Sequence, residues 1–120
     1  MDKRHLKVLL TSIFVVYALI MIIGAIIPYP EDIPIYSGNT GYFHLFGFMV
    51  LSVIIFRILD LYEIRYRTFW ALFLLALFIT LTEVLQLLVS TRNASFVDMF
   101  IGIAGGLIGW GLYAWMYSKQ

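Results

Sequence analysis

The sequence predicts an all-α membrane protein, a four-transmembrane-helix bundle that forms one domain over residues 1–120. The first observation behind this is composition: the chain is 62% hydrophobic and only 12% charged, about half the charged fraction of a soluble domain. A soluble core of this size cannot bury so much apolar side chain, so the excess is expected to face lipid. The second is that four apolar stretches approach the ~20 residues that a helix needs to cross a bilayer.

The four predicted helices follow one another through short connections. They cover Val8–Ile27, Tyr42–Leu59, Thr68–Val89 and Val97–Tyr117. The first apolar run exceeds the ~7–15 residues of a signal-peptide core, so we interpret it as a retained helix. Three prolines, Pro28, Pro30 and Pro34, follow this first helix and prevent it from continuing, because proline lacks an N–H donor and restricts the conformation of the residue before it.

Lysine and arginine are distributed unevenly along the chain, and this predicts the orientation. Seven of the eight flank what would be one side of the membrane: Lys3, Arg4, Lys7, Arg57, Arg65, Arg67 and Lys119. Only Arg92 lies on the other side. Because basic flanks remain in the cytoplasm, both termini of this multi-pass membrane protein are predicted to be cytoplasmic.

Polar side chains gather at the predicted outer ends of the last three helices. They are His44, Glu83, Gln86, Arg92 and Asp98. Glu83 lies ~9 Å inside its helix end, where an ionised carboxylate is costly unless it is paired or hydrated. We therefore predict that these five residues form one cluster at the extracytoplasmic face.

Each member of the predicted cluster has a functional and a structural interpretation. In the functional one, His44, Glu83 and Asp98 are catalytic: Glu83 and His44 handle a proton, and Asp98 helps to orient the ligand. Gln86 and Arg92 bind the ligand, Arg92 through an anionic group. In the structural one, Glu83 pairs with Arg92, Gln86 links helices and Asp98 caps a helix. His44, Glu83 and Asp98 are side chains that can ligate a metal, but one histidine without a local ligand motif does not favour a metal site, and none is predicted.

Helical spacing predicts which faces pack together. Gly102, Gly105 and Gly109 share one face of the last helix with Asp98, and such glycines let a neighbouring backbone approach closely. Two more stripes are predicted to face the bundle interior: His44, Phe48, Leu51 and Ile55 in the second helix, and Ala76, Thr80, Glu83 and Leu87 in the third.

Together these residues resemble the motif of the VanZ-like family of small bacterial and archaeal membrane proteins. The resemblance rests on His44-x-x-x-Phe48, Thr82-Glu83-x-x-Gln86, Arg92, Asp98 and the pair Gly105 and Gly109, within a layout that extends from the first helix to the fourth. Two positions depart from the family pattern: Gly41 replaces a usual lysine and Gly102 a usual asparagine. These departures leave open whether an activity of the family is retained.

The resemblance implies a link to low-level resistance to the glycopeptide teicoplanin, and an action at the outer surface on a membrane lipid or lipid-linked precursor of the cell envelope. Whether the protein is an enzyme is left open. The alternative is a non-enzymatic membrane subunit or modulator of a partner protein, and association of several copies also remains open. No cofactor is predicted. The absence of cysteine excludes thiolate metal sites, and the net charge of +1 does not indicate nucleic-acid binding.

Overall fold

The computed structural model describes residues 2–26, 40–88 and 96–117, with side chains for 2–24, 44–88 and 99–117. These ranges contain four α-helices: α1 (Lys3–Ile26), α2 (Thr40–Leu61), α3 (Arg67–Leu87) and α4 (Phe96–Tyr117). Each is long and apolar enough to cross a membrane. The prediction of an all-helical chain with four such helices is therefore confirmed. The largest difference in bounds is at α1, which begins at Lys3 rather than Val8, because the basic flank also consists largely of good helix formers.

The bundle is built around α2. Its most extensive contact is with α4, and α3 packs against both. α2 and α4 run parallel: Gly105 adjoins Leu45, Gly109 adjoins Met49 and Tyr113 reaches Asp60, so the contacts advance along both helices in the same direction. The core between these three helices consists of Phe48, Leu51, Ile55, Phe56, Ala71, Leu75, Ile79 and Tyr113.

Helix α1 lies at the periphery of the bundle. It packs mainly on α2, where the Tyr17 hydroxyl donates a hydrogen bond to the carbonyl oxygen of Gly47 (2.7 Å). None of its described residues is buried. Large apolar side chains such as Val8, Val16 and Ile20 are exposed along it. Such an apolar exterior is what a helix at the edge of a membrane bundle requires.

Glycines on α4 bring its backbone against α2. A Cβ atom at Gly105 would overlap the carbonyl oxygen of Leu45, and one at Gly109 would lie 2.5 Å from the carbonyl oxygen of Met49. In the same contact the Ser52 hydroxyl donates to the carbonyl oxygen of Gly106 (2.8 Å). The absence of side chains on this face of α4 is therefore what allows the two helices to approach so closely.

The stripe predicted for α3 is wrong except at Glu83. Ala76, Thr80 and Leu87 are exposed. The buried residues of α3 are Ala71, Leu75, Ile79, Thr82, Glu83 and Gln86. Both stripes have helical spacing and both include Glu83, and on a helix that is apolar all round the spacing does not show which face meets other helices.

The connection between α2 and α3 has a defined backbone conformation. The Ile64 N–H donates to the carbonyl oxygen of Leu59 and the Glu63 N–H to that of Asp60, both at 3.1 Å. These two bonds are the Schellman arrangement that ends many helices. Its left-handed position is occupied by Glu63 (φ 55°), and Tyr66, just before α3, is also left-handed (φ 58°).

Candidate functional site

A histidine and a carboxylate meet between α2 and α3. His44 Nε2 lies 3.7 Å from Glu83 Oε1, and their side chains are only 12% and 6% exposed. His44 is near the start of α2 and Glu83 near the end of α3, so the antiparallel packing of these helices brings the two residues to one end of the bundle. We call this end of the bundle the His44 end. When His44 is protonated, the contact is an ion pair shielded from solvent.

The amide of Gln86 extends this polar site by one helical turn. Gln86 lies three residues after Glu83 on the same face of α3 and is 4% exposed. Within the part of the chain that the structure describes, its Oε1 atom is buried without a hydrogen-bond partner. An unsatisfied buried acceptor of this kind costs about 1–3 kcal/mol. The site therefore has an acceptor ready for a group that donates a hydrogen bond.

The apolar wall beside this site comes from α2 and α4. The Phe48 ring lies one turn after His44, with a centroid separation of 6.1 Å. A Cβ at Gly102 would lie 2.9 Å from a Phe48 ring carbon, so Phe48 fills the space that the missing Gly102 side chain leaves. The polar groups thus lie at the edge of a tightly packed core.

The structure describes only part of the predicted cluster. It brings together His44, Glu83 and Gln86. Asp98 belongs to the first turn of α4, one turn before Gly102, and its side chain is outside the described residues, as is all of Arg92. The joint cluster of five therefore remains a prediction.

A second polar cluster, which sequence reasoning missed, lies at the opposite end of the bundle. There the Tyr113 hydroxyl donates to Asp60 Oδ2 (2.7 Å). The same carboxylate is 3.7 Å from Arg57 Nη1 and 3.4 Å from Arg67 Nε. The Arg57 guanidinium also stacks over the Tyr117 ring, 4.6 Å from its centroid. Asp60 thus joins the last turns of α2 and α4 to the first residue of α3.

We call this second region the Asp60 end. The sequence contains one local signal for it, the three-residue spacing of Arg57 and Asp60 on α2. The long-range partner, Tyr113, lies in the strongly apolar helix α4, where the sequence gives no sign that its hydroxyl contacts Asp60. In the sequence, Arg57 and Arg67 indicated only the orientation of the helices and not a shared contact with Asp60.

Among the described residues, no group of three or more His, Cys, Asp or Glu side chains is arranged to hold a metal ion. No family model matches the chain, and no curated protein or solved structure matches it.

Proposed function

We propose that the His44 end is a site that binds or modifies an amphiphilic molecule, a membrane lipid or a lipid-linked precursor of the cell envelope. The observation that carries the proposal is the burial of Glu83 and Gln86 beside His44, with a Gln86 oxygen that accepts no hydrogen bond from any described residue. A polar group of the ligand, such as a hydroxyl, would donate to that oxygen. The orientation predicted from the basic flanks makes this the extracytoplasmic end.

The His44–Glu83 pair supports a proton-handling role. An imidazole and a carboxylate in close contact can pass a proton to or from a bound group. Screening of such a pair by salt is weak where water has little access. The proposal leaves Arg92 and Asp98 in the roles predicted from the sequence, Arg92 to hold an anionic group of the ligand and Asp98 to take part in catalysis.

Lipid analysis of the purified protein tests this proposal. The wild type and the variants Glu83→Gln and Gln86→Met would be purified in mild detergent and the retained lipids quantified by mass spectrometry. We expect both variants to lose roughly tenfold or more of one lipid class, because the removal of a buried polar contact costs about 1–3 kcal/mol.

Thr82→Val is the matched control. Thr82 is buried on the same turn of α3, but its hydroxyl donates within the helix, to the carbonyl oxygen of Ile79 (2.8 Å). Its replacement should leave the retained lipid unchanged, and circular dichroism with thermal unfolding would show that all variants remain folded. Equal lipid content in all four folded proteins would contradict the proposal and favour the alternative of a non-enzymatic membrane subunit or modulator.

The family resemblance adds a cellular expectation. We propose that the protein is VanZ-like on the sequence motif alone, and that its expression in a glycopeptide-susceptible bacterium raises the inhibitory concentration of teicoplanin. The same variants provide the test: Glu83→Gln should abolish the increase, and Thr82→Val should retain it. An unchanged inhibitory concentration on expression of the wild type would remove the link to resistance, without bearing on lipid binding.

A further inference from the structure

We infer that the α2–α3 connection at the Asp60 end is a binding site for the headgroup of an anionic phospholipid. Residues 63–69 line an open groove of about 660 Å³ there. Two of them, Arg65 and Arg67, are exposed cations. The site is distinct from the one at the His44 end, because the length of α3 separates them.

Backbone hydrogen bonds define both ends of the segment that lines the groove. In the five-residue connection, Glu63 and Tyr66 are both left-handed, a conformation that is unfavourable for side chains other than glycine. The helix-ending bonds of Glu63 and Ile64 and the Trp70 N–H bond to the carbonyl oxygen of Tyr66 (3.1 Å) fix both ends. A pre-organised loop of this kind lowers the entropy cost of holding a ligand.

Both arginines of the groove are exposed, so their guanidinium groups are accessible to a phosphate. Arg65 is 5.0 Å from the centroid of the Tyr66 ring and has no ion-pair partner among the described residues. Arg67 contacts Asp60 through Nε, and its side chain is 52% exposed. About half of the Arg67 side chain thus remains accessible while it contacts Asp60. Guanidinium groups suit phosphate because their donors form a planar fork.

The surroundings favour a lipid as the source of that phosphate. Tyr62, Tyr66, Phe69 and Trp70 are exposed around the groove, and aromatic side chains are enriched at the level of lipid headgroups. Within the described residues this end has six Lys and Arg against three Asp and Glu. Excess positive charge beside a membrane attracts anionic lipids.

Thermal unfolding in mixed micelles tests the inference. The midpoint of the wild-type protein would be measured in phosphatidylcholine–detergent micelles under three conditions. The first has no addition, the second has phosphatidylglycerol in the micelles, and the third has glycerol phosphate dissolved in the buffer. We expect phosphatidylglycerol to raise the midpoint by about 4 °C or more and glycerol phosphate to leave it unchanged. A rise with both would identify a free-phosphate site and overturn the lipid assignment. No rise with phosphatidylglycerol would overturn the inference altogether.

Arg65→Gln is the diagnostic variant and Arg4→Gln its matched control. Both remove one exposed cation from the same end. Arg65→Gln leaves the Asp60–Arg67 contact in place, so the fold is not at risk. It should lose roughly half of the phosphatidylglycerol shift or more, while Arg4→Gln should retain it. Equal losses in the two variants would indicate general charge attraction and contradict a defined site.

Glu83→Gln separates this inference from the proposed function. That variant should keep the full phosphatidylglycerol shift, because Glu83 lies at the other end of the bundle. If Glu83→Gln abolished the shift, the lipid would be binding at the His44 end and the groove assignment would be wrong.

Discussion

Glu63 occupies a backbone position that glycine fills in many helix endings. Its φ of 55° lies in the left-handed region, where an L-residue with a side chain costs ~1–2 kcal/mol. The side chain gains little in return, since its 3.7 Å contact with Lys3 joins two groups that are 79% and 66% exposed. Exposed ion pairs contribute about 0–1 kcal/mol. The strain at Glu63 is thus only weakly offset by its own contacts.

We therefore predict that Glu63→Gly stabilises the protein. The gain should be about 0.5–1 kcal/mol, which is the relief of strain less the extra entropy that glycine has in the unfolded chain. Thermal or denaturant unfolding in detergent measures it. Glu63→Ala is the control, because it removes the Lys3 contact but keeps a Cβ in the left-handed position. A midpoint for Glu63→Gly at or below that of Glu63→Ala would show that the position is not strained.

Tyr113 and Gln86 show at the residue scale what spacing cannot reveal. Tyr113 is mostly buried, yet its hydroxyl reaches across to Asp60, so an aromatic residue that suits lipid contact is in fact part of a polar cluster. Gln86 could be predicted as polar and inward-facing from its three-residue spacing to Glu83. Whether its oxygen finds a donor depends on the side chains of neighbouring helices, none of which supplies one within the described ranges, and the sequence of α3 does not contain that information.

At the scale of elements, the α2–α4 contact depends on glycine. Gly105 and Gly109 abut carbonyl oxygens of α2. At Gly111, by contrast, no described atom other than its chain neighbours and its own helix backbone lies within 4 Å of where a Cβ would be. The face could be predicted because glycines at four-residue spacing favour close helix packing. The helix that packs on this face could not be predicted, since glycines in α4 could equally adjoin α2 or α3.

Gly105→Ala is predicted to destabilise the bundle. The new methyl group would collide with the Leu45 carbonyl oxygen, and relieving that overlap by separating the helices should cost about 1–3 kcal/mol. Gly111→Ala is the control and should be neutral or slightly stabilising, since alanine favours the helix more than glycine does. The midpoints of thermal unfolding in detergent compare the two variants. Equal tolerance at both positions would mean that the α2–α4 contact is looser than described.

At the scale of the whole molecule, the two ends of the bundle differ in the chemistry of their described residues. The His44 end has a buried, nearly apolar setting for a few polar groups. The Asp60 end has a network of exposed and half-buried charges around one carboxylate. This difference is consistent with a fixed orientation across a membrane, because basic groups are retained on the cytoplasmic side.

Cysteine labelling tests the predicted orientation. The chain has no cysteine, so single substitutions give unambiguous labels. Ser37→Cys and Thr91→Cys in intact cells should react with a membrane-impermeant thiol reagent, whereas Tyr62→Cys should not. After permeabilisation, Tyr62→Cys should react, since Tyr62 is 47% exposed. If only Tyr62→Cys were labelled in intact cells, the prediction of cytoplasmic termini would be wrong and the opposite orientation would hold.

The sequence by itself determined the number of helices, their approximate bounds and the polar residues from which a site could be built. These depend on local properties. One is the length of each apolar run relative to the bilayer, and the other is the free-energy cost of a carboxylate such as Glu83 inside such a run. Only the tertiary structure decided that α3 buries Leu75 and Ile79 rather than Ala76 and Thr80, and that Asp60 meets Tyr113. In lipid an outward-facing and an inward-facing apolar side chain have similar environments, so hydrophobicity does not distinguish the two faces of a helix, and close packing between helices does.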